Sequence, residues 1–475
     1  MKAFYTSVVS AQSTEEHFIS QKDLPLFVSY RTLGTTAAHI EADMADRPAT
    51  FDLYVRELPK NRNYLTFVGL EDVVHFLQDL CFSPENVAWM RETFPFSRKV
   101  IDYLRNWKFT GTVYAMREGT IFFPHEPVIR ITAPLGQLQI IESFLFNAVG
   151  YRTLVASKIS RLIHAAKPAS IGVGEQRAHG IEAGYKAIRA GWIAGTSSTV
   201  LLLAIKRHHI PFFGGVAAHF FVTSFPAELD AFRTYIKTIP DGALMIDTYD
   251  IKEGLNNAMI VAKEMEERDQ KLKLVVLDSG DLAKTSKWVR DELDRNGLQY
   301  VKIFAMSNMD EYRIRELQKR GARIDAYGVA TEVVTSSDAP KIEIVYKLAE
   351  VQERGQWVPK AKFSPGKFSL GGRKQVFRQR KGKHYAKDVL GLEEERIAGV
   401  PLLKPVIRDG KLVNELPTLE EIRKHTASQY EQFPPELFDA ERGVKYLVQV
   451  SPGITRVMNA MGREKFTRKF LHPEL

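Results

Sequence analysis

Carboxylates follow two apolar runs in the middle of the chain, at the position where each run ends. Asp247 follows ALMI, Asp278 follows LVVL, and Asp281 comes three residues later in the segment DSGD. Carboxylate oxygens are preferred ligands of Mg²⁺, which often bridges a protein to the phosphate groups of a substrate. The pattern therefore indicates a magnesium and phosphate site, although each aspartate alone would also suit the start of a helix.

A histidine and several small or hydroxylated residues occupy other candidate turns. His219 follows GGVAA, whose small side chains let a ligand approach closely, and a neighbouring carboxylate would stabilise its cation. His219 is therefore a candidate nucleophile, and a buried core histidine is the simpler interpretation. The turns GTSST (195–199) and YGVAT (327–331) are candidate phosphate sites, because exposed backbone N–H groups favour an anion.

The segments that carry these residues alternate between short apolar runs and amphipathic stretches. Four of the runs cover residues 243–250, 273–281, 301–308 and 323–331. They begin about 22–30 residues apart, which is typical of a repeating strand, turn and crossover helix. Gly297 and Gly321 each end an amphipathic stretch, where a glycine commonly terminates a helix.

Successive strand and helix units predict a parallel sheet that is covered on both faces. An open doubly wound sheet fits the same pattern, but polar residues at nearly every strand end favour a barrel. We predict an α/β fold with an irregular parallel α/β barrel over residues 136–345. Residues 1–135 and 346–475 are predicted to form a second, α+β domain, with antiparallel strands in ATFDLYVREL and EPVIRITAPL and helices over 69–80 and 97–106.

The composition limits the class of protein. The chain has 475 residues, a net charge of +9 and one cysteine, Cys81, which excludes an intrachain disulfide and a cysteine-based zinc site. A single cysteine fits a reducing compartment, and no uncharged apolar run reaches the roughly 18 residues that suggest a membrane-spanning helix. We therefore expect a cytoplasmic protein without a membrane partner.

The positive charge is concentrated in residues 341–390, which hold 13 Lys or Arg and 4 Asp or Glu, a local balance of +9. This segment would cover a polyanionic substrate, and a plain solvated surface is the alternative. Nucleic acid is not an expected partner, because the segment lacks interleaved solvent-facing aromatics and any recognised binding module. The candidate phosphate contacts are Lys347, Lys360, Lys362, Lys367, Arg373 and Arg378.

Six motifs follow one another in an order that is more specific than any one of them. They are FFGGVAAHFF, LMIDTYD, VVLDSGDL, AYGVATEVVTS, IVYKL and PKAKFSPGKFSLGGRKQVFR. Together they resemble the nicotinate phosphoribosyltransferase family, of the type II phosphoribosyltransferase fold, over roughly residues 25–380. The resemblance implies an enzyme of NAD biosynthesis that forms nicotinate mononucleotide from nicotinate and phosphoribosyl pyrophosphate. It also implies Mg²⁺ as cofactor and ATP as co-substrate, with ATP hydrolysis coupled through a phosphohistidine.

The resemblance implies roles for individual residues. His219 would be the phosphohistidine and would form the catalytic set with Asp278 and Asp281, while Asp247 and Asp278 would bind Mg²⁺. Tyr30 would reach the pyridine ring from the neighbouring subunit of a homodimer. Candidate substrate-binding residues, from the resemblance and from the turns above, are Tyr30, Lys158, Arg161, Arg177, Ser197, Asp247, Ser307, Gly328 and Thr331.

Several positions depart from the family pattern. Val276 stands where the family has arginine and Val216 where it has threonine, while Gln176 and Ala330 replace an arginine and a glycine. Valine cannot replace an arginine that pairs with the carboxylate of nicotinate.

Two alternatives therefore stay open for the acceptor. Either Arg177, Lys158 or Arg161 supplies the missing positive charge, or the acceptor is another base, such as nicotinamide. A catalytically degraded paralogue that only binds nucleotide is the alternative of another class.

Overall fold

The computed structural model describes residues 23–364 and 367–461. Residues 1–22, 365–366 and 462–475, which fall in the predicted flanking domain, lie outside the described residues. The α-helices are α1 (Tyr30–Glu41), α2 (Leu70–Asp79), α3 (Pro84–Thr93), α4 (Arg98–Arg105), α5 (Leu135–Ile140), α6 (Glu142–Ala166), α7 (Ile181–Ala194), α8 (Leu202–His208), α9 (His219–Val222), α10 (Glu228–Thr238), α11 (Ile251–Glu266), α12 (Leu282–Arg295), α13 (Glu311–Lys319), α14 (Thr331–Val334), α15 (Leu419–Gln432) and α16 (Pro452–Ala460).

The β-strands are β1 (Pro48–Val55), β2 (Leu65–Thr66), β3 (Thr112–Ala115), β4 (Ile121–Phe122), β5 (Pro127–Pro134), β6 (Ser170–Val173), β7 (Ser198–Thr199), β8 (Val216–Ala217), β9 (Ala243–Met245), β10 (Leu274–Leu277), β11 (Lys302–Ala305), β12 (Ala326–Val329), β13 (Ile344–Glu353), β14 (Gln356–Pro359), β15 (Lys374–Lys381), β16 (His384–Leu392), β17 (Val400–Pro401), β18 (Lys404–Arg408), β19 (Lys411–Leu412) and β20 (Leu447–Val450). Short 3₁₀ helices cover Leu24–Leu26 and Pro435–Phe438.

Seven strands form one parallel sheet, in the order β7-β6-β12-β11-β10-β9-β8. A parallel bridge between Thr199 and Phe212 joins β7 to the segment that leads into β8. The two edges of the sheet therefore approach each other, and the sheet curls into an irregular, barrel-like form. This confirms the predicted α/β class and the prediction of a parallel barrel-type sheet.

Both faces of this sheet are apolar, as the continuous aliphatic runs predict. Val275 and Leu277 of β10 pack against the surrounding helices. Val276 points the other way and packs with Met245 and Phe304 inside the curled sheet. The interior is therefore a packed core, and ligands can be held only at its rim.

The crossover helices begin and end at the signals that the sequence shows. Asp250, Asp281 and Asp310 are the N-caps of α11, α12 and α13, and each side chain accepts backbone N–H groups of the first turn. Gly297 and Gly321 follow α12 and α13 with φ of +76° and +73°, a left-handed conformation that glycine adopts without strain. The predicted helix ends at both glycines are confirmed.

A second seven-stranded sheet is antiparallel, in the order β14-β13-β1-β5-β3-β18-β19. Its strands come from both ends of the described chain, since β1 pairs with β5 on one side and β13 on the other. A smaller sheet of β17, β15, β16 and β20 comes entirely from the C-terminal part. Helices α2 and α4 confirm the two predicted N-terminal helices, and the two flanks together build an α+β unit, as predicted.

Helix α6 joins the two parts, because it packs against α2 from the flank and against α7 and α13 from the barrel. It is 25 residues long but carries buried charged residues, among them Arg152, Lys158 and Arg161. Within residues 23–364 and 367–461, the model contains no helix with the length and apolar character needed to span a membrane.

The basic segment is less exposed than the sequence suggests. Arg378 lies fully buried, with its Nε 3.0 Å from Oδ1 of Asp388. Lys374 is also buried, with Nζ 2.8 Å from Oδ2 of Asp52. The expectation that Arg378 is a phosphate contact was wrong, because strands β15 and β16 turn this guanidinium into the protein interior.

Candidate functional site

The carboxyl ends of parallel strands lie at one edge of a sheet, and the predicted chemistry gathers at that edge. Asp247 lies two residues beyond β9, Asp278 directly follows β10, and His219 lies two residues beyond β8. We call this edge the mouth of the barrel.

The imidazole of His219 lies between two side chains of the mouth. Its Nδ1 is 3.0 Å from the hydroxyl oxygen of Thr248, and its Nε2 is 3.8 Å from Oδ2 of Asp278. The hydroxyl fixes the orientation of the ring at Nδ1, and the carboxylate would stabilise positive charge at Nε2. Nδ1 is thus engaged by Thr248, and Nε2 is the ring nitrogen on the side of Asp278.

Asp247 binds the neighbouring turn through one carboxylate oxygen, and its other oxygen accepts no hydrogen bond from a described residue. Its Oδ2 accepts hydrogen bonds from the backbone N–H of Asp278 (2.9 Å) and the hydroxyl of Ser279 (2.7 Å). Its Oδ1 is buried, and no described residue donates a hydrogen bond to it. A buried carboxylate oxygen without a donor is costly unless a cation or water meets it.

This donor set suits Mg²⁺, which binds through one or two carboxylates and keeps other positions for water and substrate phosphates. Asp247 and Asp278 would be those carboxylates. In the part of the chain that the structure describes, no group of three or more His, Cys, Asp or Glu side chains is arranged to hold a metal by itself. A protein cage for a metal is therefore not built among these residues, and any ion here would share its ligands with substrate.

The ionisation of Asp278 is perturbed by its position. Partial burial and the negative charge of Asp247 raise the pKa of Asp278, while His219 and Arg177 oppose this effect. The ionised carboxylate is thus destabilised by its surroundings, and any positive charge that arrives beside it would stabilise it.

Arg177 and Thr331 meet at the same edge. Nη1 of Arg177 lies 3.4 Å from the hydroxyl oxygen of Thr331, which is the first residue of α14 after β12. Arg177 follows β6 in the turn before α7 and is exposed. An exposed guanidinium beside a helix start is suited to phosphate or carboxylate.

The turn after β11 adopts an unusual backbone. Ser307 and its neighbour Asn308 have φ of +86° and +46°, a left-handed conformation that costs energy for residues other than glycine. Gly328 lies nearby in β12, and a Cβ there would lie 2.7 Å from Cζ of Phe304. Gly328 is therefore required by packing inside the barrel, close to the mouth.

Two predicted residues lie away from the mouth or are occupied otherwise. Asp281 caps α12 and forms an exposed ion pair with Arg320, with 2.6 Å between Oδ2 and Nη2. Ser197 precedes β7, at the amino end of the sheet, and its hydroxyl donates to the carbonyl of Ile171 (2.9 Å). The segment GTSST thus leads into strand β7 and includes it, whereas the prediction placed this segment after a strand.

The two basic residues predicted on α6 are buried. Nζ of Lys158 lies 2.6 Å from Oε2 of Glu311, and Nε of Arg161 lies 2.8 Å from Oε1 of the same carboxylate. Their charges are compensated inside the protein. Of the three candidates for the charge that recognises nicotinate, Arg177 is the one that is exposed at the mouth.

The valines that depart from the family pattern belong to the interior. Val276 is fully buried and Val216 is partly buried in the cluster that includes Phe213 and Phe304. The rings of these two phenylalanines stack with centroids 5.0 Å apart. Aromatic and aliphatic groups therefore fill the space just below the mouth.

Tyr30 is the first residue of α1, in the N-terminal flank, and 53% of it is exposed. Its ring lies 4.8 Å from that of Phe94 and 6.2 Å from that of Phe96, measured between centroids. The described chain therefore presents Tyr30 on an aromatic surface patch.

Thr248 and Ser279 are absent from the predicted site residues, yet they orient His219 and Asp247. A signal exists in the sequence, because each hydroxyl residue directly follows an aspartate at the end of a strand. What the sequence does not show is which neighbouring strand each hydroxyl faces.

Comparisons with known proteins identify the relatives of this chain. Residues 32–150 match the model of the nicotinate phosphoribosyltransferase N-terminal domain, and residues 395–458 match that of the C-terminal domain. A nicotinate phosphoribosyltransferase of Mycobacterium tuberculosis, pncB2, is 37% identical over 423 residues, which cover 88% of this chain and 90% of that protein. The Bacillus subtilis enzyme of the same name is 37% identical over 358 residues, covering 74% and 73%.

The crystal structure of human nicotinic acid phosphoribosyltransferase has the same fold. It superposes with a TM-score of 0.81 at 24% identity and covers 91% of this chain and 100% of that chain. With the bacterial identities, which extend over most of the sequence, this leaves one conclusion: the chain belongs to the nicotinate phosphoribosyltransferase family.

Proposed function

We propose that this protein forms nicotinate mononucleotide from nicotinate and phosphoribosyl pyrophosphate at the mouth of the barrel. The pyridine nitrogen would bond to C1 of the ribose as the bond from C1 to pyrophosphate breaks. The observation that carries the proposal is the meeting of His219, Asp247 and Asp278 at one edge, in a chain of this family.

Asp278 is the group best placed to stabilise the reacting sugar. The transition state of such a substitution resembles an oxocarbenium ion, and a carboxylate would offset its positive charge. Because burial and Asp247 disfavour the ionised form of Asp278 and raise its pKa, the carboxylate gains more from that charge than a solvated one would. Such differential stabilisation is what accelerates a chemical step.

Mg²⁺ is proposed to bind at Asp247 and Asp278. When bound, it would neutralise charge on the departing pyrophosphate. Oδ1 of Asp247, which accepts no hydrogen bond from a described residue, supports this placement. Thr331, Arg177 and the turn at Ser307 would contact the phosphates. Activity that survives complete chelation of divalent cations would contradict the placement.

His219 is proposed as the residue that ATP phosphorylates. A bond would form between Nε2 and the γ-phosphorus as the bond from that phosphorus to the bridging oxygen of ADP breaks. Hydrolysis of this phosphohistidine would then couple ATP to product formation. The hydrogen bond that holds Nδ1 at Thr248 supports Nε2 as the reactive nitrogen.

Nicotinate is the proposed acceptor, and nicotinamide is the alternative. The exposed guanidinium of Arg177 supports a carboxylated base. The apolar positions 216 and 276 favour a neutral one.

We further propose a homodimer in which each subunit completes the site of the other. Large apolar side chains are exposed on segments that adjoin the mouth, a feature that marks interaction surfaces. They are Ile181, Leu202, Phe212, Phe220 and Tyr249. The exposed ring of Tyr30 supports its proposed role in the partner's site, and the free thiol of Cys81 supports a reducing compartment such as the cytoplasm.

The dimer proposal is tested by mixing two inactive variants, Tyr30→Ala and Asp278→Ala. In a mixed dimer one site carries both changes and the other carries neither, so random exchange restores about a quarter of the wild-type sites. No recovery of activity from dimers shown to have exchanged would contradict a shared site.

The reaction is tested by incubating the pure protein with phosphoribosyl pyrophosphate and Mg²⁺, together with nicotinate or nicotinamide. We expect nicotinate mononucleotide and pyrophosphate in equal amounts. A preference for nicotinamide would support the alternative acceptor, and binding of the sugar phosphate without turnover of either base would support the degraded paralogue.

A further inference from the structure

Lys158 is fully buried, yet its ammonium group contacts carboxylates of two separate segments. Nζ lies 2.6 Å from Oε2 of Glu311 and 3.0 Å from Oδ1 of Asp338. We infer that Lys158 is a positioning residue. Beneath the mouth, it links the turn at Ser307 to the turn at Thr331, the two turns that would bind phosphate. This inference rests on the proposed function, because it concerns the grip on phosphoribosyl pyrophosphate.

Glu311 connects Lys158 to the first of these turns. It is the first residue of α13 and is completely buried. Asp310, directly before it, caps the helix, and the left-handed residues Ser307 and Asn308 lie immediately upstream. A strained turn of this kind persists only where its surroundings fix it, and the Lys158–Glu311 ion pair fixes its downstream end.

Asp338 connects Lys158 to the second turn. The segment from Thr331 to Asp338 is held by its own hydrogen bonds, including 2.6 Å from the Thr335 hydroxyl to the carbonyl of Thr331. The backbone N–H of Ser336 and the carbonyl of Val333 are also bonded, at 3.0 Å. A displacement of Asp338 would therefore move the start of α14, where Thr331 meets Arg177.

Arg62 anchors the same carboxylate from the flanking domain. Its Nη1 and Nη2 lie 2.7 Å and 3.0 Å from the two oxygens of Asp338, and Nη2 also reaches the Ser336 hydroxyl at 3.3 Å. Burial disfavours ionised Asp338, but the hydrogen bonds and charges of Arg62 and Lys158 outweigh it and lower the pKa of this carboxyl. Asp338 is thus an ionised carboxylate that is held in place by both Arg62 and Lys158.

The charges show why Lys158 is not merely a neutralising partner. The cluster contains the cations Arg62, Lys158 and Arg161 and the anions Asp338 and Glu311. Without Lys158, each anion would still have its own arginine, at 2.7 Å and 2.8 Å. Lys158 adds a net buried positive charge and, among the residues that the structure describes, the contact that joins the two anions. Its contribution is therefore geometric alignment and positive potential beneath the phosphates.

The test compares Lys158→Met with wild type in steady-state kinetics and in calorimetric binding of phosphoribosyl pyrophosphate with Mg²⁺. Networks of this kind change the affinity of a distant site by about tenfold. We expect KM and Kd for phosphoribosyl pyrophosphate to rise by about this factor, with little change in the KM for nicotinate.

Lys374→Met is the matched control, because Lys374 is also buried against a carboxylate, at 2.8 Å from Asp52, but lies in β15 of the small flanking sheet. It should lose stability without a change in KM for phosphoribosyl pyrophosphate. A folded Lys158→Met with wild-type KM and Kd would overturn the inference. If this variant fails to fold, Asp338→Asn takes its place, since it removes the shared charge and keeps the shape, and wild-type constants there would overturn the inference equally.

The two proposals fail in different ways. A wild-type protein that neither binds nor turns over phosphoribosyl pyrophosphate would refute the proposed function, and the positioning role would fall with it. A wild-type protein that binds and reacts, beside a Lys158→Met that does so equally well, would refute the positioning role alone.

Discussion

Charged residues are treated differently in the mouth of the barrel and in the flanking α+β domain. In the flank, Lys374 and Asp52 are both buried and lie 2.8 Å apart. In the mouth, His219 and Asp278 are partly exposed and 3.8 Å apart.

The difference distinguishes charged groups that stabilise the fold by close pairing from charged groups that the fold positions for a ligand. A buried ion pair is tolerated when its two charges compensate each other at close range, as Lys374 and Asp52 do. Incompletely paired groups at a strand end cost stability, and proteins retain them where a ligand completes the pairing. The four variants below test this distinction, from the largest expected effect to the smallest.

Asp52→Asn should be the most damaging change to stability. It removes the negative charge beside the buried ammonium of Lys374, which is then surrounded by neutral acceptors, among them the carbonyls of Leu370 and Gly372, each at 2.7 Å. Removing one partner of a buried pair costs about 3–5 kcal/mol, and urea unfolding would measure the loss. Activity per folded molecule should stay near wild type, and a strong selective loss of activity would break the comparison.

Asp278→Asn should have the opposite effects, a loss of activity and a gain in stability. Loss of a group that stabilises charge in a transition state lowers kcat by about 10²-fold or more, whereas stability near pH 7 should rise. The reason is that the raised pKa of Asp278 makes the folded protein bind a proton more tightly than the unfolded chain, so this group's contribution to stability falls as pH rises through the folded pKa. Unfolding curves at pH 4 and pH 7 should show the gain only at the higher pH, and a loss of stability at pH 7 would contradict it.

Glu126→Gln tests a flank carboxyl that is not compensated. Burial and the charge of Asp388 raise the pKa of Glu126 well above its usual value. The folded protein therefore keeps a proton that the unfolded chain releases, and wild-type stability should decline as pH rises through the folded pKa. Glutamine cannot titrate, so the variant should show a shallower decline, by urea unfolding from pH 4 upward to pH 9. Parallel curves for both proteins would contradict this.

Asp281→Asn should have the smallest effect. Asparagine also caps a helix, and the ion pair lost with Arg320 is exposed and screened by solvent, so little stability is lost. We expect kcat to change by less than about twofold if Asp281 serves as a cap. A large loss of kcat in a stable variant would instead assign it to the reaction.

Much of the fold could be predicted because it rests on local signals. The apolar runs that end at Asp247 and Asp278 and the glycines at 297 and 321 mark strands and helix ends by backbone chemistry alone. The two-residue strand β7 is too short to carry a period, so the turn at Ser197 was placed on the wrong side of a strand.

The site was harder to predict where partners come from distant segments. The sequence shows that Lys158 is basic, but it does not show that the side chain is buried and pairs with Glu311 and Asp338. Likewise, Thr248 becomes a partner of His219 only because β8 and β9 are neighbours in the sheet.

One measurement tests the central claim, that the incompletely paired groups of the mouth serve the reaction. Formation of nicotinate mononucleotide is followed with phosphoribosyl pyrophosphate and Mg²⁺, with and without ATP, for wild type and His219→Ala. We predict that ATP stimulates the wild type and that His219→Ala retains a basal rate without stimulation. Equal stimulation of both proteins by ATP would contradict the account.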